Sequence, residues 1–530
     1  MAAESTITHP RRPARTPGDN LSLAIRIVIL AVVDVLVLSS IQQFFESGTR
    51  FVGWSIILTL IGLNAIILFD RFMPLRWLAP GLVMLVLFTI APMAYTFYVA
   101  FSNYNGNHLL TREQAVRAIE QQTYLAPDAP SYKWAAYQNP AGEFALWLVG
   151  ADGTTTRFAP QGGEIRDLAT GGEGVGAPDA NGFPTQIDDY RLLTRPESVR
   201  NLQTLSQTTF GEGSDTVQVA TLSQAAQYQQ RYQYDDAANT MTDLQTGTAY
   251  TPDEGTFTAA DGTTITPAFQ TTIGWGNFTR LFTNAAIREP VTQILIWTFV
   301  YAISVVVIQF ILGLVISLAL NDKVVPRPLA KAVRSFMLLP YIVPGFLMIL
   351  VWAAMFNPLV GIASDGFGIL GIARDWWTTD AYGAKVMVIL VTVWLGFPYF
   401  VLIVSGALQA VSEEVLEAAE VDGANYWQRL RSILLPILLQ MTAPLIVLGF
   451  AANFNNFVLI FLLTGGGPPI PGATVPAGST DILLSFTYKA AFTFGNTDYG
   501  LATVITMFIF LILLPIVATQ FRRLPAWQED

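Results

Sequence analysis

Cysteine is absent from the chain, which excludes disulfides, thiolate catalysis and cysteine metal sites. Histidine is almost absent. Only His9 and His108 occur, both outside the apolar segments, so a histidine metal centre is excluded as well. Charge is scarce: Asp, Glu, Lys and Arg make up 13% of the 530 residues, against roughly a quarter in an average soluble protein. There is no G-x-x-x-x-G-K-[ST] run, so the chain lacks the phosphate cradle of a P-loop ATPase. The net charge of -10 resides mainly between Ser102 and about Glu289, and the remainder is close to neutral. The basic footprint of a nucleic-acid binder is missing, and no nucleic-acid partner is expected.

What the chain has in abundance is apolar residues, 52% of the total. They gather in stretches of about 20 residues or more, the length that crosses roughly 30 Å of hydrocarbon. Eight membrane helices are predicted, over 21–42, 51–69, 77–101, 289–320, 332–356, 384–408, 437–463 and 499–520. The first follows Arg11, Arg12 and Arg15 and could be mistaken for a signal peptide. It is longer than a signal h-region and no small-x-small site clearly follows, so it reads as a retained helix.

Orientation follows from the basic residues. The N-terminal arginines, Arg71 with Arg76, Lys323 with Arg327, Lys331 and Arg334, Arg429 with Arg431, and Arg522 with Arg523 fall at alternate connections. Eight crossings place all of these groups on the cytoplasmic side, together with both termini. The expected fold class is an all-α polytopic membrane protein with eight transmembrane helices and an inserted β-rich extracytoplasmic domain. Its parts are 1–101 (cytoplasmic N-terminus and helices one to three), 102–283 (the extracytoplasmic insertion) and 284–530 (helices four to eight).

The insertion is polar and rich in turn signals. Asp152-Gly153 lies between Phe144–Val149 and Thr154–Phe158, and Asp261-Gly262 between Thr256–Thr258 and Thr263–Thr266. Both read as hairpins. Thr111–Gln122 reads as a helix, and Thr170–Gly182 as a glycine-rich loop. Trp134, Trp147, Tyr228 and Tyr232 supply aromatic material for a core.

Two places carry chemistry. The cytoplasmic loop 409–436 contains VSEEVLEAAEVDGANYWQRLRSILLP, which reads as two short helices joined at Gly423. Ser412 can cap the first, and Glu413 and Glu414 suit its positive N-terminus. Val411, Val415, Ala418 and Ala419 can share a face, and Gly423 can take the left-handed conformation that ends the helix. Trp427, Leu430 and Leu434 then stripe the second helix. Within the membrane, helix seven contains Asn453-Phe454-Asn455-Asn456 and helix six contains Trp394-Leu395-Gly396-Phe397-Pro398-Tyr399. Amides in hydrocarbon mark interhelical contacts or a pathway. An amide offers a donor and an acceptor together, which matches sugar hydroxyls, and aromatic rings can cover the apolar face of a pyranose. Asn453 and Asn456 are three apart and are expected on one helix face, with Asn455 pointing elsewhere. Gly396 leaves room and Pro398 is expected to kink helix six. No charge is expected within helices four to eight, which suits a neutral polyol.

Glu417-Ala418-Ala419, three residues, Gly423, nine residues and Ile433-x-Leu435-Pro436 resembles the EAA motif of type I ABC-importer permeases. The run NFNNFVLI with LLT and GGP after it, and the segment TVPAGSTDILLSFTYKAAF, narrow the resemblance to the larger permease subunits of maltose/maltodextrin-type ABC importers. It is dense over helices four to eight and mainly one of layout before them. The resemblance implies that Glu417, Ala418, Ala419 and Gly423 form a coupling helix that docks in a cleft of a separate ATPase. It implies that Leu395, Gly396, Tyr399, Asn453 and Asn456 line the sugar site. It further implies a second permease, two ATPase copies, an extracytoplasmic sugar-binding protein, an oligosaccharide substrate and a bacterial inner-membrane location. No cofactor is expected on this chain; ATP and Mg belong to the ATPase. Gly449 and Ala452 depart from the serine and phenylalanine of the family's best-known members, which implies a wider site and leaves trehalose, sucrose or another α-glucoside open beside maltose. Asp34, midway along the first helix, is expected to have a structural partner. The rival classes are a secondary transporter or channel, disfavoured by the EAA loop and the charge-poor core, and a membrane sensor, disfavoured by the lack of an output domain.

Overall fold

The computed structural model describes residues 17–46, 50–126, 129–212, 215–322, 324–338, 341–493 and 497–521. His9, Arg11, Arg12, Arg15, Lys323, Arg522 and Arg523 lie outside them. The chain divides into two units, Met1–Asn107 with Thr271–Asp530, and His108–Gln270.

In the first unit, seven helices among the described residues are long and apolar enough to cross a membrane. They are α1 (Pro17–Glu46), α2 (Arg50–Leu68), α3 (Ala79–Ala100, with a π-helical turn at Val86–Ile90), α4 (Ala285–Asn321), α7 (Ala381–Gln409), α9 (Tyr426–Phe454) and α12 (Tyr499–Phe521). The predicted fifth helix over 332–356 is corrected. The chain there forms two pieces, α5 (Arg327–Met337) and α6 (Gly345–Met355). Pro344 is the N-cap of α6, since proline has no N–H to donate and clashes with the preceding turn. At 1.5 Å per residue α6 is only about 16 Å long, short of the roughly 30 Å of a bilayer core.

The predicted seventh helix over 437–463 is also corrected. The helix stops at Phe454, and α10 (Phe457–Leu463) begins after Asn456, whose ψ of 63° is not helical. Asparagine side chains compete with the helical ladder for backbone partners, and Asn453 does so here by donating to the Gly449 carbonyl at 2.9 Å.

The core of the unit is built on α4 against α7. Tyr301, Val305, Gln309, Gly313 and Ser317 are buried at four-residue spacing, one stripe of α4. Gly313 admits Phe400, because a β-carbon there would sit 2.7 Å from the Phe400 Cβ. Ser317 donates to the Val401 carbonyl (2.9 Å) and accepts from Ser405 (3.0 Å). Tyr301, Gln309 and Ser317 on this stripe each find a hydrogen-bond partner on α7, as an apolar surrounding demands.

Among the described residues the second unit has three antiparallel sheets: a two-stranded pair of Thr123–Leu125 with Tyr228–Gln230, and two larger sheets with separate cores. Strands Ser131–Gln138, Phe144–Gly150 and Thr156–Pro160 meander, with Trp147 opposite Phe158, and bury Trp147, Tyr137 and Phe158 completely. The Asp152-Gly153 hairpin forms as predicted; Gly153 has φ +70°. The side-chain and backbone donors of Thr155, then those of Thr154, hold the Asp152 carboxyl well below the usual carboxylate range. Five further strands, from Tyr232–Asp235 to Thr264–Ile265, pair in chain order and include the predicted Asp261-Gly262 hairpin. The helix Arg112–Glu120 forms as predicted, with a reciprocal capping box between Thr111 and Gln114, and packs Ile119 against Tyr232, Met241 and Phe257.

Candidate translocation site and coupling loop

The two asparagines do not share a helix face; the break after α9 separates them. Asn453 is 8% exposed and bonds within its own helix. Asn456 is half-buried beyond the break, and its Nδ2 lies 3.4 Å from the Tyr301 hydroxyl of α4. Asn455 differs from both: its Oδ1 is buried without a hydrogen-bond partner. On α7, Leu395 and Gly396 are half-buried and Tyr399 is exposed, its ring edge-on to Phe400 at 5.6 Å. Among the described residues no hydrogen bond joins Tyr399 to either asparagine.

Two expectations about small residues change. Gly396 does leave room, but the room holds Gln309: a β-carbon would collide with its amide. That approach lets Gln309 Nε2 donate to the Thr392 carbonyl at 2.9 Å. At Gly449 a β-carbon would lie 3.2 Å from the Phe400 ring, so Phe400 takes up the space a larger residue would fill. Ala452 is exposed and leaves its flank open. Pro398 is accommodated inside α7, which runs unbroken through it.

The expected absence of charge holds only for the interior of the later helices. Lys385 stands near the start of α7, its Nζ 5.0 Å over the Trp297 ring, a cation–π contact. Beyond α10, Asp481 is fully buried. It accepts from Lys489 Nζ (2.7 Å), Ser485 Oγ (2.8 Å) and the Gly478 N–H (2.7 Å). Lys489 lies on α11 (Leu483–Phe492). Sequence reasoning missed this pair, because the eight-residue spacing matches no helical neighbour rule. It also missed Tyr301, Gln309 and Thr392, although a polar residue inside an apolar run was the available signal. Asp34 has the structural partner expected of it: Asn64 Nδ2 lies 3.0 Å from both carboxylate oxygens, linking α1 to α2.

The loop 409–436 folds as two helical pieces. α8 (Glu413–Val421) places Glu413 and Glu414 in its first turn, but Ser412 makes no side-chain cap bond. Gly423 has φ +82°. The Gly423 N–H reaches the Glu420 carbonyl (3.0 Å) and the Ala424 N–H the Ala419 carbonyl (2.9 Å), the paired bonds of a Schellman ending. Asn425 then caps the next turn through a capping box with Gln428, and Arg429 pairs with Glu420 at 2.6 Å. The inward face is corrected from Val415 to Leu416, which packs with Val411, Leu430 and Leu434. Val415, Glu417, Ala418 and Val421 of α8 are exposed, and so are Glu413, Glu414 and Glu420, so α8 offers small and apolar side chains interleaved with acids.

Comparison with known proteins agrees with this architecture. Residues 309–524 match the family described as binding-protein-dependent transport system inner membrane component. Residues 83–159 match the N-terminal part of the TM subunit in PBP-dependent ABC transporters. The fold and these matches define an integral membrane component of a binding-protein-dependent ABC transporter. Among its relatives are proteins that carry the name maltose/maltodextrin transport system permease protein MalF. That of Vibrio vulnificus is 32% identical over 465 residues, covering 85% of each chain. That of Klebsiella aerogenes is 32% identical over 499 residues, covering 91% of this chain and 89% of its own. That of Escherichia coli O6:H1 is 34% identical over 459 residues, covering 83% of each. The chain belongs to the family of MalF-type ABC permeases. It is a multi-pass membrane subunit and not itself an enzyme; the ATPase of such a transporter is a separate subunit, and a partner permease and a binding protein complete the system.

Proposed function

We propose that this chain forms one half of the translocation path for maltose, a maltodextrin or a related α-glucoside, and that it works by alternating access. In this reading it pairs with a MalG-like permease, two copies of the ATPase and an extracytoplasmic sugar-binding protein. It binds no cofactor, and ATP with Mg is held by the ATPase. Residues 102–283 face outward, both termini are cytoplasmic, and Glu417, Ala418, Ala419 and Gly423 engage the ATPase.

The observation that carries the sugar reading is the interruption between α9 and α10, which leaves the half-buried amide of Asn456 between two apolar helices. Irregular backbone within a membrane span is tolerated where it is buried in protein or lines a cavity. Leu395, Gly396, Tyr399, Asn453 and Asn456 form the site, with amides meeting hydroxyls and Tyr399 available to lie on a ring face.

The test is Asn456→Ala in the assembled complex. Loss of one buried hydrogen-bonding partner costs roughly 1–3 kcal/mol, or about one to two decades in affinity. Sugar uptake should fall by that order, while complex yield and ATP hydrolysis without sugar persist. Loss of assembly and ATP hydrolysis together with uptake would mean that the asparagine only holds helices together. Unchanged uptake of every α-glucoside tried would remove Asn456 from the site.

A further inference from the structure

Asn456 is the end of a buried chain of hydrogen bonds. Its Nδ2 lies 3.4 Å from the Tyr301 hydroxyl; that hydroxyl lies 3.0 Å from Thr392 Oγ1; and Thr392 Oγ1 lies 2.6 Å from the Val388 carbonyl. Tyr301 is fully buried and Thr392 is 3% exposed, so water does not supply alternatives. The donors and acceptors can be arranged in one way only. A carbonyl oxygen cannot donate, so Thr392 spends its single proton on Val388. The Tyr301 proton must then go to Thr392 Oγ1, which leaves the Tyr301 oxygen as an acceptor. Asn456 therefore turns its NH2 toward Tyr301, and its Oδ1 turns away from α4.

From this we infer that Tyr301 and Thr392 are positioning residues for substrate recognition: they fix the flip of the Asn456 amide so that Oδ1 is presented as an acceptor to a sugar hydroxyl. The inference rests on the reading of Asn456 as a sugar ligand and adds to it the polarity of the contact and the residues that set it. Gln309 braces the same point from α4 by donating to the Thr392 carbonyl across Gly396. Removal of the Tyr301 hydroxyl lets the amide rotate. Removal of the Thr392 hydroxyl frees the Tyr301 proton to be donated to Oδ1, which takes the acceptor away from the substrate.

The experiment uses the full complex and measures uptake of radiolabelled maltose and maltotriose, normalised to assembled complex, for Tyr301→Phe, Thr392→Val, Thr392→Ser, Asn456→Ala and the double variant Tyr301→Phe/Asn456→Ala. Tyr301→Phe and Thr392→Val should each lower uptake about tenfold, the effect of one misdirected hydrogen bond. Thr392→Ser keeps the hydroxyl and should restore uptake. The double variant should transport no worse than Asn456→Ala alone, because Tyr301 acts only through that amide. Additive losses in the double variant, or a silent Tyr301→Phe beside an impaired Asn456→Ala, would overturn the positioning role and leave Asn456 as a ligand. A silent Asn456→Ala would overturn the sugar-site reading itself. If Tyr301→Phe fails to assemble, the Thr392→Val and Thr392→Ser pair decides the matter, since loss without rescue by serine sinks the inference.

Discussion

Asp481 and Lys489 show how a single pair can hold a connection that has no regular structure. The carboxylate is completely buried, and desolvation by burial is the dominant influence on it, raising its pKa despite the attraction of Lys489. The two effects oppose each other, so the pair is not a large net stabiliser; its importance lies in what happens when it is broken. Lys489→Met would leave Asp481 with two neutral donors and no counter-charge, a loss on the order of 3–5 kcal/mol. Reduced thermal stability and yield of the complex are expected, measured by a melting curve in detergent. Adding Asp481→Asn removes the stranded charge and should recover most of the loss; a single variant as stable as the parent chain would show that the pair is not needed. Residue-level legibility was uneven. Asp34 announced a partner because a lone acid in an apolar helix must have one, and Asn64 supplies it. Asp481 gave no such signal, because it lies in a polar connection where an acid is unremarked; its burial comes from tertiary packing around Gly466 and Gly478. Gly396 was legible as a close approach but not as an approach by Gln309, since sequence shows a missing side chain and not its neighbour.

At the scale of elements, the loop 409–436 was the most legible part of the chain, because its signals are local. Glycine at the helix end and acids in the first turn act within one or two turns, and α8 and the Gly423 ending follow from them, whereas the cap read at Ser412 forms instead at Asn425 on the next turn. The burial of Leu416 in place of Val415 depends on the packed neighbours Leu430 and Leu434, which spacing alone does not orient. The helix ends inside the membrane were less legible for a related reason. Apolar runs 332–356 and 437–463 are long enough to span, but Pro344 and the asparagine cluster interrupt the ladder, and hydropathy does not see hydrogen bonds. The loop yields a direct prediction. A β-branched residue at a φ of +82° is strained, by about 1–2 kcal/mol or more, so Gly423→Val should unmake the turn between α8 and α9. Sugar-stimulated ATP hydrolysis by the complex should fall while the membrane unit still inserts and folds. Glu417→Lys reverses an exposed acid beside the small Ala418 and should give the same loss without touching the turn. Normal stimulation in both variants would dissociate this loop from the ATPase.

At the scale of the whole molecule, the number of crossings bears on every assignment of side. The positive-inside argument placed each basic group on one face by counting eight spans, whereas the described residues contain seven helices of spanning length and the short α6. If the segment holding α5 and α6 crosses, three spans separate Asp152 from Asn425: α4, that segment and α7. If it does not, only two separate them, and the two residues share a side. Arg327, Lys331 and Arg334 on α5 favour a crossing, because they hold the N-terminal end of the segment at the cytoplasmic face while the apolar α6 follows. The absence of cysteine makes the measurement clean. Asp152→Cys sits in an exposed turn and should react with an impermeant thiol reagent in intact cells whose outer barrier has been opened. Asn425→Cys, exposed at the cap after Gly423, should react only after the inner membrane is lysed. Labelling of both from outside would mean an even number of spans between them, so that the α5–α6 segment folds back without crossing and the coupling loop would lie outside, where no ATPase could reach it. The reverse pattern, with Asn425→Cys alone accessible, would invert the whole orientation. Protection of Asn425→Cys in intact cells together with labelling of Asp152→Cys requires an odd number of spans, and the α5–α6 segment is the one that supplies it.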